Sequence, residues 1–146
     1  MTEVAFHFNA PDKVAYACRL LRKAVGQGAK VAVTADPGTL RALDVSLWTF
    51  APLEFVAHCT ITGHGTPDPV MVQASPVVLV GEPERSPHQQ VLVNLGEGVP
   101  EGFERFERVI EVVGLGDGDR SVARSRWRHY ADRGYSIQRH DLALKE

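Results

Sequence analysis

The stretch Asp119–Tyr135, DRSVARSRWRHYADRGY, concentrates more chemistry than any other part of the chain. Five arginines (Arg120, Arg124, Arg126, Arg128 and Arg133) stand there against Asp119 and Asp132, a local balance of +3 in a chain whose formal net charge is −2. Guanidinium groups grip carboxylates as two-pronged donors, so such a concentration suits the holding of an anion. Read as a helix, the stretch is capped by Asp119, whose carboxylate can accept from first-turn amides, and stops at Gly134. Arg120, Arg124 and Arg128 then recur at i, i+4 and i+8 on one ridge, with Trp127 beside Arg124. Like charges four apart cost about 0.2–0.5 kcal/mol per pair, and a helix selected for stability alone would interleave glutamates here. A solvated helix face accounts for an isolated charge run. The aromatic beside this one shifts the reading to an anion-recognition surface.

Other candidate chemistry fails on spacing. Gly114-Leu115-Gly116-Asp117-Gly118-Asp119 invites comparison with a dinucleotide fingerprint, but aspartate occupies the place of its third glycine. Asp117 and Asp119 would also set negative charge against a pyrophosphate. No G-x-x-x-x-G-K-[ST] loop occurs, so no nucleotide site or cofactor is expected. His58, Cys59 and His64 match no standard zinc pattern, and Ser46, Ser75 and Ser86 lack a nucleophile-elbow sequence, so no metal and no catalytic residue are expected. Trp48, Phe50, Leu53 and Phe55 form a second cluster, at a helix end and in a segment of weak secondary-structure signal. Core and protein interface account for it about equally.

The elements that must carry these residues alternate. Val4–Phe8 reads as a strand, and from Asp12 the positions Val14, Cys18, Leu21 and Val25 follow helical spacing up to Gly26 and Gly28. Lys30–Ala35 is a buried strand, Asp36-Pro37-Gly38 is turn and cap, and Thr39–Trp48 is a second helix with Leu40, Leu43 and Leu47 inward. An extended piece is expected at Glu54–Cys59 and loop at Thr62–Pro69. Pro76–Val80 and Gln90–Leu95 are strands around a charged loop, Gly81–Pro87. A short helix, Glu101–Glu107, leads to the last expected strand, Arg108–Val113, and then to the arginine helix. Such alternation predicts one α/β domain over residues 1–146, with a mostly parallel sheet and helices on both faces.

With 44% hydrophobic and 23% charged residues, the composition is that of a globular chain rather than a disordered one. No run of about 18 apolar residues suggests a membrane span. The start MTEVAFHFNAPDK lacks the pattern of a signal peptide, so a cytoplasmic protein is expected. Cys18 and Cys59 are expected to be small buried hydrophobes rather than a disulfide.

The strand start EVAFHF, the segment LWTFAPLEFVAH and the tail segment ARSRWRHYADRGYSI, in this order and spacing, resemble the chi subunit of bacterial DNA polymerase III holoenzyme. The resemblance covers nearly the whole length and implies a Rossmann-like fold that carries no nucleotide. It also implies a non-enzymatic subunit that pairs with the psi subunit and binds the acidic C-terminal tail of single-stranded DNA-binding protein, meeting DNA only through these partners. Carried over by position, Arg124 and Arg128, with Arg120 as a third, would contact that tail. Trp127, where a tyrosine is usual, would wall a pocket for the tail's terminal apolar side chain. Trp48 and Phe55 would face psi or a competing helicase partner. Direct nucleic-acid binding through the same arginines is the alternative, although a net acidic chain with a single basic element lacks a wide basic footprint.

Overall fold

Short runs of β-branched and aliphatic residues, apolar on successive positions, become strands buried on both faces. In the computed structural model, which describes residues 2–49, 57–61 and 75–144, seven strands make one sheet, most of them such runs and the last a polar one. In chain order they are β1 (Glu3–Ala10), β2 (Val31–Thr34), β3 (His58–Ile61), β4 (Val77–Val80), β5 (Val91–Asn94), β6 (Arg108–Gly114) and β7 (Ile137–Asp141). The sheet order is β3-β4-β2-β5-β6-β1-β7, and every neighbouring pair is parallel. Parallel neighbours need crossovers, and among the described residues three helices carry three of them: α1 (Lys13–Gly26) between β1 and β2, α2 (Pro37–Thr49) between β2 and β3, and α3 (Asp117–Asp132) between β6 and β7.

The helices divide between the faces as the alternation of strand side chains requires. Ala17, Cys18 and Leu21 of α1 and Leu40, Leu43 and Leu47 of α2 pack on Val31, Val33, Val77 and Leu79. On the opposite face, Ala123 and Tyr130 of α3 join Val4, Phe6, Leu92 and Val109. The expected α/β architecture, with helices on both faces, is therefore present, and the sheet is parallel throughout. Asp12 caps α1 by accepting from the Ala15 amide, and Asp36 accepts from both the amide and the hydroxyl of Thr39 at the start of α2. Cys18 and Cys59 are free and buried. Among the described residues no helix is long and apolar enough to cross a membrane.

Several local expectations are corrected. Helix α3 begins at Asp117 with Gly116 in the cap position, so Asp119 lies in its first turn rather than at its cap. The Asp119 carboxylate instead accepts from the Gly114 amide at 2.6 Å and pairs with Lys13 at 3.3 Å. The helix expected at Glu101–Glu107 is only a 3-10 turn, Phe103–Arg105. Gly102, with φ +83°, stands in the left-handed region there, and both Phe103 and Phe106 turn into the core. A similar turn, Pro83–Arg85, lies inside the expected charged loop. The last strand is β7, which the sequence pattern did not reveal. Phe50, Leu53, Phe55 and the loop expected at Thr62–Pro69 lie outside the described residues.

Candidate functional site

One buried polar network sets the rotation of α3 on the sheet. Glu111, on β6, is 0% exposed, and Arg126, on α3, is 1% exposed. Arg126 Nε donates to Glu111 Oε1 at 2.9 Å, and Arg126 Nη1 donates to the Glu97 carbonyl at 2.7 Å. Asn94 Nδ2 shares the same carboxylate oxygen at 2.9 Å, while the Tyr130 hydroxyl donates to Oε2 at 2.6 Å. Burial pushes the Glu111 carboxyl up, against the pull of the Arg126 guanidinium and the surrounding donors. Burial, and then the adjoining carboxylate, likewise raise the Tyr130 hydroxyl and keep it a donor. With Ala123, Arg126 and Tyr130 facing the sheet, helical spacing turns Arg124, Trp127, Arg128 and Ala131 toward the outer flank, beside β7.

Those four residues, together with Ala123, Phe8 and Arg139, line an open groove of about 420 Å³ between α3 and the sheet edge. Its floor is aromatic. The Trp127 ring packs 5.0 Å from that of Phe6 and 6.1 Å from that of Phe8. Its rim is cationic: Arg124, Arg128 and Arg139 are exposed, and the Arg139 guanidinium lies 5.1 Å from the centre of the Phe8 ring. An apolar floor ringed by guanidinium groups can hold an anionic group and an adjacent apolar side chain together.

The five arginines of the stretch therefore have different situations. Arg124 and Arg128 border the groove with Trp127, whereas Arg120 is half-buried and donates to Asn9 Oδ1 at 2.5 Å. Asn9 holds a positive φ of 66° and also donates to Asp141 Oδ1 at 2.7 Å, which ties the starts of α1 and α3 to the end of β7. Arg126 is internal, and Arg133 Nη1 donates to the His129 carbonyl at the helix end. Phe8 and Arg139 were missed by the sequence reading. The alternation of Val4, Phe6 and Phe8 was the available signal for the first. Arg139 had none, because its strand went unrecognised.

Trp48 lies elsewhere, at the end of α2 next to β3. It is 61% exposed, as is Val45, and meets the His58 ring edge-on at 5.5 Å. His58 Nε2 lies 2.9 Å from Asp44 Oδ1. Beside them Leu40, Arg41, Asp44, Thr60 and Ile61 line a second, more apolar groove of about 380 Å³. Among the described residues no group of three or more histidine, cysteine, aspartate or glutamate side chains is placed to hold a metal. At the Gly114–Asp119 loop the Asp119 carboxylate itself takes the Gly114 amide, which a phosphate loop would offer to its ligand.

A curated relative, DNA polymerase III subunit chi of Pseudomonas aeruginosa, is 32% identical over 97% of this chain and 98% of its own length. Residues 1–138 match the family described as DNA polymerase III chi subunit, HolC. The chain thus belongs to the DNA polymerase III chi subunit family.

Proposed function

We propose that this protein is a non-catalytic accessory subunit of the DNA polymerase III clamp-loader assembly, acting in the cytoplasm as one domain. It links that assembly to coated template by binding the acidic C-terminal tail of single-stranded DNA-binding protein. The observation that carries the proposal is the groove itself, in which Arg124, Arg128 and Arg139 rim an aromatic floor that includes Trp127. Two guanidinium groups take the tail's carboxylates, Trp127 walls the site of its terminal apolar side chain, and Arg120 adds positive potential one turn away. The exposed Trp48 end of α2, with Phe55, is assigned to the psi subunit or an equivalent partner.

Removing either groove arginine should weaken tail binding by roughly 1–2 kcal/mol, five- to thirtyfold, since exposed charge pairs retain only part of their strength. The test is a titration with a fluorescent peptide copying the cognate tail, at low and high salt. Wild type should bind in a salt-sensitive way that requires the peptide's last apolar residue, and Arg124→Ala and Arg128→Ala should bind less. Equal binding by both variants would overturn the assignment.

A further inference from the structure

Strand β7 pairs only with β1 among the described residues, leaving its outer edge without a strand partner. The Val4 amide donates to the Ser136 carbonyl at 3.2 Å, and Val4 lies opposite Ile137 in the parallel register. In a parallel ladder the amide and carbonyl of one residue point the same way, and successive residues alternate. Gln138 and His140 therefore address β1, while the N–H and C=O groups of Ile137, Arg139 and Asp141 face outward. An open, extended edge of this kind accepts another strand unless something blunts it.

This edge borders the candidate groove, because Arg139 belongs to both. Side chains along it favour an acidic occupant: Arg139 is exposed on the strand, and Arg124 and Arg128 are exposed across the groove. The one carboxylate of the strand, on Asp141, is already engaged by Asn9 at 2.7 Å. From this juxtaposition, and resting on the tail-binding reading above, we infer that the acidic tail docks by strand addition. Its backbone lies along β7 as an eighth strand of the sheet while its terminal apolar residue sits against Trp127. Backbone bonds from Ile137, Arg139 and Asp141 then hold the peptide, and the arginines select its charge.

Backbone hydrogen exchange of the full chain with the tail peptide tests this. At saturation the amides of Ile137, Arg139 and Asp141 should exchange at least about tenfold more slowly, the effect of about 1.4 kcal/mol of new protection, with Gln138 and His140 little changed. Two peptides N-methylated at alternate backbone positions complete the test. One should lose about tenfold or more in affinity and the other should bind almost as the parent does, because only alternate amides face the strand. A peptide that binds and responds to Arg124→Ala, yet protects none of the three amides and tolerates both methylation patterns, would overturn strand addition and leave the tail-binding reading standing. A peptide that does not bind would overturn both.

Discussion

Replacing Arg126 should unfold the protein far more readily than replacing any arginine of the groove. Arg126→Met removes a charge-assisted bond of 2.9 Å to Glu111 and a bond of 2.7 Å to the Glu97 carbonyl, leaving a carboxylate that is 0% exposed without its cation. Breaking a buried pair from one side costs about 3–5 kcal/mol, a large part of the roughly 5–15 kcal/mol that stabilises a typical domain. With an m-value near 2 kcal/mol per M, the urea midpoint should fall by about 2 M. The loss should also depend on pH. Burial already raises Glu111, and without Arg126 the chief opposing influence disappears, so its folded pKa rises further above the unfolded value. The folded variant then keeps a proton that the unfolded chain releases, and its stability falls as pH rises from about 4.3 toward the raised folded pKa, by up to about 1.4 kcal/mol per unit. Glu111→Gln added to Arg126→Met should restore part of the stability and remove this pH dependence. Urea denaturation across a pH series is the assay. A loss below about 1 kcal/mol at neutral pH, or one equal at every pH, would refute the reasoning, since a buried unpaired carboxylate must show both effects.

Other substitutions separate the remaining roles. Arg139→Ala should weaken tail-peptide binding about as much as Arg128→Ala, roughly 1–2 kcal/mol, whereas Arg120→Ala should show more in stability than in affinity because its guanidinium is tied to Asn9. His7 is held at a pKa of about 4 by burial, then by the charges of His140 and Lys23, and its ring shares a 2.5 Å hydrogen bond with the Tyr16 hydroxyl. Its folded pKa lies below the unfolded value of about 6.5, so stability is full above that value and should be lost as pH falls toward 4. His7→Gln should flatten that part of the denaturation profile. Gly102→Ala should cost about 1–2 kcal/mol in thermal or urea unfolding, since φ is +83° and a Cβ would lie 2.6 Å from Glu84 Cγ. Trimming Glu84 to alanine should relieve only the contact.

The interior strands and the first two helices were legible because single-element patterns decide them. VAVT, VVLV and VLVN are apolar without alternation, as strands buried on both faces must be, and Leu40, Leu43 and Leu47 mark the inner stripe of α2. The edge strand β7 was not legible. Its sequence, IQRHD, is polar because three of its five positions are exposed, and only pairing with β1 makes it a strand. Helix α3 was legible as an arginine ridge but not in its rotation. Which arginine goes inside depends on Glu111, 15 residues earlier and on a different element. The carboxylate within the apolar run RVIEVV was the one local sign that a buried cation would be needed, and it points to no particular arginine. The groove is thus half sequence pattern and half topology. Arg124, Trp127 and Arg128 come from the helix, and Phe8 and Arg139 are brought to them by the sheet.

The most direct test of the linking role uses coated DNA rather than a peptide. Single-stranded DNA immobilised and saturated with intact single-stranded DNA-binding protein should retain this protein. DNA coated with the same protein lacking its acidic tail, and naked DNA, should retain little. Retention by naked DNA or by the tail-less complex equal to that by the intact complex would contradict the adaptor and assign the arginines to nucleic acid instead.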